Sequence, residues 1–171
     1  MSGKGKYRTG IIVASDKASR GERTDETGPA LAALLTEAGY EVALTTIVPD
    51  ERAILSQTLR DLCDKDGVAL LLTAGGTGFS PRDCTPEATL DVAERLAPGL
   101  AEAMRAAGMA ITPRAMLSRG VAVIRGRTLI LNLPGSPRGA CENLAVVLPA
   151  LGHGLDILRG ADGECARLTT C

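Results

Sequence analysis

Val68-Ala69-Leu70-Leu71-Leu72-Thr73-Ala74-Gly75-Gly76-Thr77-Gly78 is the stretch on which the fold turns. Residues 68–73 form a continuous apolar run with no alternation, the pattern of a strand covered on both faces at the centre of a parallel sheet. The run passes directly into glycines, so a buried strand ends in a loop able to take backbone conformations closed to other residues. Outward from it, strands and helices alternate. Towards the N-terminus, Gly10-Ile11-Ile12-Val13-Ala14 is a short β-rich run ending at Ser15-Asp16, followed by a polar loop over 17–25. Pro29 suits a helical first turn, Leu31, Leu34, Leu35 and Ala38 share one helical face, and Gly39 closes that helix. Residues 41–48 read as a second buried parallel strand, and Asp50 as the opening of a helix with a Leu55, Leu59, Leu62 stripe.

Towards the C-terminus, Thr85 and Pro86 start a helix, and a further helix runs from near Pro98 to near Gly108. Two β-like runs, 120–124 and 128–133, are joined by Arg125-Gly126-Arg127, a spacing that predicts a hairpin and hence one antiparallel strand. Ser136 and Pro137 open a last long helix with Leu144, Val147, Leu148 and Leu151 on one face. The tail 160–171 lacks periodicity and is expected to be mobile. The order of elements predicts an α/β fold, a three-layer α/β/α sandwich around a mostly parallel sheet, with 1–171 as a single domain.

Composition narrows the function classes. Of the 171 residues, 45% are apolar but only 2% aromatic, so the core is aliphatic. A net charge of −1 and the scarcity of stacking aromatics argue against nucleic acid as a partner. Cys63, Cys84, Cys141, Cys165 and Cys171 form no C-x-x-C pair, and the chain has one histidine, so a structural zinc site is not expected. The odd, irregular cysteines read as reduced thiols, and the apolar run at 11–14 is too short for a signal peptide or a membrane span. The expectation is a cytoplasmic protein with no membrane partner.

In an open α/β sheet, ligands bind beyond the carboxyl ends of the strands. There stand Ser15-Asp16, Pro49-Asp50-Glu51, the glycine loop with Ser80-Pro81-Arg82-Asp83, and Leu133-Pro134-Gly135-Ser136-Pro137. Gly75, Gly76 and Gly78 could present successive N–H groups to an anion, with the Thr77 hydroxyl beside them, or could form a tight turn and nothing more. The loop is neither a P-loop nor G-x-G-x-x-G. Asp50 and Asp83 suit a magnesium site that borrows substrate phosphates; the plainer alternatives are a helix cap for Asp50 and, for Asp83, an ion pair with Arg82 or another base. Asp16 and Asp25 read as turn or cap residues, His153 as structural, and Cys84 as a small filler.

These residues resemble a known family. Thr73-Ala74-Gly75-Gly76-Thr77-Gly78 followed by Pro81-Arg82-Asp83-Cys84-Thr85-Pro86-Glu87-Ala88 looks like the signature of the MogA/MoaB-type molybdopterin-binding proteins, and Ser15-Asp16, Asp25-Glu26-Thr27-Gly28 and Leu133-Pro134-Gly135-Ser136-Pro137 resemble its other blocks. The likeness runs from about residue 8 to 158, and Val48-Pro49-Asp50-Glu51 looks nearer the MogA branch. Thr27 stands where many members have Ser. The resemblance implies a molybdopterin adenylyltransferase that uses ATP and Mg2+, with catalytic, metal-holding aspartates at Asp50 and Asp83. Binding of nucleotide and pterin would fall to Ser15, Asp16, Gly75, Gly76, Thr77, Gly78, Ser80, Pro134, Gly135 and Ser136. It also implies a homotrimer and hand-over to a molybdenum-insertion protein. Two rival readings are a nucleotide-pyrophosphate hydrolase of the same fold and a non-catalytic molybdopterin carrier.

Overall fold

The computed structural model describes residues 7–160. Its six-stranded sheet has the order β2-β1-β3-β6-β5-β4, with β1 Arg8–Ala14, β2 Glu41–Val48, β3 Leu70–Ala74, β4 Arg95–Leu96, β5 Ala122–Arg125 and β6 Thr128–Leu133. β5 alone runs against the others, pairing antiparallel with both β6 and β4. The hairpin turn between β5 and β6 has Gly126 at φ +54°.

Every residue of β3 is buried, as its unbroken apolar run requires. Its side chains alternate between two cores. Leu70, Leu72 and Ala74 face one side, where α2 (Thr27–Glu37), α5 (Pro98–Met109) and α6 (Pro137–Arg159) pack. Leu71 faces the other, where α3 (Arg52–Asp64) and α4 (Thr85–Leu90) pack through Leu55, Leu59 and Ala88. The period-2 pleat thus sends one hydrophobic strand into both helical layers. α6 is long and apolar enough by composition to cross a bilayer, but Ala140, Leu144, Val147, Leu151 and Leu155 seal its inner stripe against the sheet.

Several expectations need correction. The 41–48 strand is an edge strand, with Val48 its sole fully buried residue; its irregular alternation reflects half-exposure, not burial on both faces. Asp50 does not open α3, which begins at Arg52. The helix at Thr85 ends at Leu90, and β4 then adds two exposed residues to the sheet edge, too few to show a period. The polar loop hides a short α1 (Asp16–Ser19), and a 3-10 turn at Pro113–Leu117 links α5 to β5. The expected mobile tail lies outside the described residues beyond Gly160, which caps α6 in the left-handed conformation at φ +75°.

The sheet core contains one polar knot. Asn132 on β6 is buried; its Nδ2 donates to Thr73 Oγ1 and Thr89 Oγ1, each at 2.9 Å, and its Oδ1 accepts from Val121 N at 3.1 Å. This ties β3, β6, α4 and the start of the hairpin together, with each group of the amide satisfied. Asn132→Leu should therefore lower stability by about 2–3 kcal/mol, since it strands the half-buried Val121 N–H and takes away the donor that two buried threonine hydroxyls accept. Urea unfolding of the variant checks this; a loss below about 1 kcal/mol would show that the knot is dispensable.

Candidate active site

The sheet topology fixes where a site can form. The chain leaves β1 to build β2 on one side, then returns to build β3 on the other. The carboxyl ends of β1 and β3 therefore diverge at a topological switch point. A cavity of about 380 Å³ opens there, lined by Ser15, Arg23, Asp25, Asp50, Gly75, Gly76, Asp83, Gly135 and Ser136 among others.

Its floor is backbone. Gly75 and Gly76 take successive left-handed conformations, φ +101° and +64°. A Cβ on Gly75 would strike Ala14 O, and one on Gly76 would strike Thr85 Oγ1 and come within 3.1 Å of Asp50 Oδ1. Gly78 does not share the positive φ expected of it; it is needed because a Cβ there would stand 2.9 Å from Asp83 Oδ2. The Gly75 N–H donates to Leu133 O at 3.1 Å, which leaves any anion contact to the amides after it.

The carboxylates are held by backbone, not by helix capping. Asp50 Oδ2 accepts from Asp16 N, and Asp16 Oδ1 accepts from Asp50 N, both at 3.0 Å, a reciprocal clasp that ties the ends of β1 and β2. Asp50 makes no cap bond to α3. Arg82 grips Asp16 with Nε and Nη2, both at 3.0 Å, and so is not the partner of Asp83. The Asp83 carboxylate accepts from Ser80 N at 3.1 Å and has no ion-pair partner among the described residues. Partial burial pushes the Asp50 carboxyl above the usual carboxylate range, helped by the charges of Asp16 and Asp83. The Arg82 guanidinium holds Asp16 below that range.

The remaining expected site residues divide between two cavities. Thr77, Gly78 and Pro134 line a second, more apolar cavity of about 370 Å³ with Met104, Ile111 and Leu117, and Ser136 belongs to both. Asp16 and Ser80 line neither: Asp16 braces Asp50, and Ser80 sits on the turn before Asp83. Ser15 and Ser136 cap helices through Ala18 N and Gly139 N. Asp25 accepts from Thr27 N and Gly28 N, as its cap reading required. His153 is exposed on α6 and faces neither cavity. Burial raises the Cys84 thiol, which suits filler and not a nucleophile.

Three contributors escaped the sequence reading. Arg23 lines the first cavity without an ion pair or hydrogen bond among the described residues. Thr27, a Thr where many relatives of the family carry Ser, donates from its buried hydroxyl to Gly135 O at 2.8 Å and pins the Pro134-Gly135-Ser136 loop. Arg119 braces the loop that carries Asp83. The polar spacing around each is unremarkable in sequence; only the crossing of distant loops reveals them.

Comparison with known proteins agrees with this geometry. Residues 10–153 match the family model described as "Probable molybdopterin binding domain". The chain is 47% identical over 149 residues to a molybdopterin adenylyltransferase of Escherichia coli strain K12, covering 85% of this chain and 76% of that one. It is 40% identical over 158 residues to a molybdopterin adenylyltransferase of Helicobacter pylori strain J99, covering 88% and 87%. A solved structure of the molybdopterin biosynthesis enzyme MoaB from Thermus superposes with a TM-score of 0.86 at 53% identity, covering 90% of this chain and 97% of that one. With the switch-point cavity at the expected blocks and the match spanning most of its length, the chain belongs to the molybdopterin-binding domain family.

Proposed function

We propose that this chain is a molybdopterin adenylyltransferase, transferring AMP from ATP to the terminal phosphate of molybdopterin with release of pyrophosphate, in molybdenum-cofactor biosynthesis. The observation that carries the reading is the convergence of Asp50 and Asp83 on one switch-point cavity floored by Gly75 and Gly76. The names of the relatives supply the substrates.

The chemistry suits what the cavity offers. An oxygen of the molybdopterin phosphate attacks the α-phosphorus of ATP; the new P–O bond forms as the bond to the pyrophosphate oxygen breaks. A phosphate monoester is already ionised near neutral pH, so no protein base is needed, and among the described residues no histidine or activated thiol lines the cavity. The task left to the protein is to place two anions in line and offset their repulsion. Arg23 supplies an uncommitted guanidinium for phosphate oxygens. The residues also fit Mg2+. Asp50 and Asp83 are hard oxygen donors; burial first, and then the charges of Asp16 and Asp83, push the Asp50 carboxyl up, and a cation there would relieve that penalty. Among the described residues no cluster of three ligand side chains exists, in keeping with a cation that shares its coordination with substrate phosphates. When bound, Mg2+ supplies charge neutralisation of the triphosphate. A homotrimer, a cytoplasmic location and hand-over to a molybdenum-insertion protein belong to the same proposal.

Incubation with ATP, Mg2+ and molybdopterin tests the reading directly: adenylylated pterin should form, and pyrophosphate release should require added molybdopterin. Pyrophosphate released without pterin would favour hydrolysis, and pterin bound without turnover would favour a carrier.

Three variants probe the residues. Asp50→Asn and Asp83→Ala should each lower kcat by about 10²–10³-fold while molybdopterin affinity persists; normal turnover in either removes that carboxylate from the mechanism. Asp50→Asn carries a further, opposite signature. A carboxyl whose folded pKa is raised stabilises the fold below its unfolded pKa and loses that contribution as pH rises through the folded value. The variant should thus match the wild type in acid and exceed its Tm at neutral pH, because Asn keeps the acceptor for Asp16 N; a Tm difference independent of pH would contradict the burial account. Arg23→Ala should raise KM for ATP about tenfold and leave kcat within a few-fold, and an unchanged KM would place Arg23 outside the phosphate contacts.

A further inference from the structure

We propose that Arg119 is the positioning residue for Asp83, its guanidinium fixing both ends of the 78–83 loop so that the carboxylate is presented to the cavity it shares with Asp50. The inference rests on the adenylyltransferase reading only in giving Asp83 a task; the placement of the loop is a matter of geometry.

The loop has no helix or strand to hold it. Its own bonds, Asp83 N to Ser80 O at 2.9 Å and Ser80 N to Asp83 Oδ2 at 3.1 Å, close the tip on itself without attaching it to the body of the fold. Arg82 at the tip reaches out to Asp16 through its side chain, and the backbone of the loop is attached by Arg119. Its Nε donates to Gly78 O at 2.7 Å and its Nη2 to Asp83 O at 3.0 Å, so one side chain spans the first and last residues of the loop. Its backbone N–H donates to Thr77 O at 2.9 Å, one residue before the loop begins. Nη1 is paired with Glu87 in the first turn of α4, and that guanidinium holds the Glu87 carboxyl below its usual range. Arg119 is anchored in turn: Arg105 of α5 donates from Nη1 to Gly120 O at 2.7 Å and to Ser118 O at 3.4 Å, on either side of it.

The bond to Asp83 O matters most. Fixing the carbonyl of Asp83 fixes its peptide plane, and with it the direction in which Cβ and the carboxylate leave the chain. Only a planar fork with several donors in fixed relation can meet two carbonyls and a carboxylate at once. A lysine could keep the Glu87 pair but not both carbonyls. Because Thr77, Gly78 and Ser118 also wall the second cavity, the same guanidinium connects that wall to Asp83.

The test uses the full chain with Arg119→Lys and Glu87→Gln. Exchange of the Ser80 amide, followed by NMR, reports the Ser80–Asp83 carboxylate bond without any substrate. In Arg119→Lys its protection should fall about tenfold or more, and kcat should fall about 10²-fold, as expected for a misplaced catalytic group, with KM for molybdopterin within about twofold. Glu87→Gln, which leaves the carbonyl bonds available, should keep both readouts within about threefold. A folded Arg119→Lys with wild-type Ser80 protection, or with lost protection and wild-type kcat, would overturn the proposal. Should Arg119→Lys not fold, Arg119→Gln is read in the same way; if neither folds, the residue serves stability and the proposal fails. If the wild type itself transfers no AMP, the adenylyltransferase reading fails, while the exchange data still decide whether Arg119 places Asp83.

Discussion

At the switch point three chain segments meet backbone to backbone, and Gly75 is where they touch. A Cβ on Gly75 would run into Ala14 O of β1, and a Cβ on Gly135, after β6, would stand 3.2 Å from Gly75 Cα. The Gly75 N–H donates to Leu133 O, and the left-handed φ of +101° is one a side chain rarely tolerates. This steric constraint lets the ends of β1, β3 and β6 converge and then part. The strand ends could not approach so closely with any larger residue, and the loops beyond them would not enclose a common space. Thr27 adds the last tie by fastening Gly135 O to the start of α2.

Convergence of this kind gathers charge at a cost to the fold. Asp50 sits half-buried beside two other carboxylates, and its raised pKa measures how poorly the folded protein accommodates its ionised form. Asp16 does not incur the same penalty, because Arg82 neutralises it with two hydrogen bonds. The difference between the neighbours separates their roles. Asp16 is a brace whose charge is spent within the protein, while Asp50 and Asp83 keep theirs facing the cavity. Strain and unfavourable electrostatics that persist in a well-packed fold mark the places where binding is meant to relieve them.

The parts of this arrangement that were legible in sequence are those written in short-range pattern. The unbroken run 68–73 announced a central strand, and the glycines after it announced close backbone approach. Asp50 and Asp83 were found because each follows a strand end, a rule of position and not of contact. What failed to show depends on long-range geometry. β4 is two exposed residues whose strand character comes wholly from pairing with β5. The 41–48 strand looked like its buried neighbours because β-branched residues serve an edge as well as a centre. Arg119 lies 36 residues from Asp83 along the chain, and no periodicity or motif marks it; an arginine whose function is to hold two carbonyls resembles any surface arginine until the loops are folded together.

Arg20, Arg52, Arg82, Arg119, Arg125 and Arg138 each hold a carboxylate. Around the first cavity that pairing leaves Arg23 as the lining cation without a partner among the described residues, against the carboxylates of Asp50 and Asp83. A bare polyphosphate entering such a space would meet more repulsion than attraction at the aspartates. A polyphosphate that arrives with a divalent cation presents the opposite face to them, while Arg23 remains available to its outer oxygens. On the proposed reading, the Asp50 carboxylate that the fold accommodates poorly is one of the groups that select a cation-bound nucleotide over a free one, so the electrostatic penalty of the fold and the specificity of the site are one property.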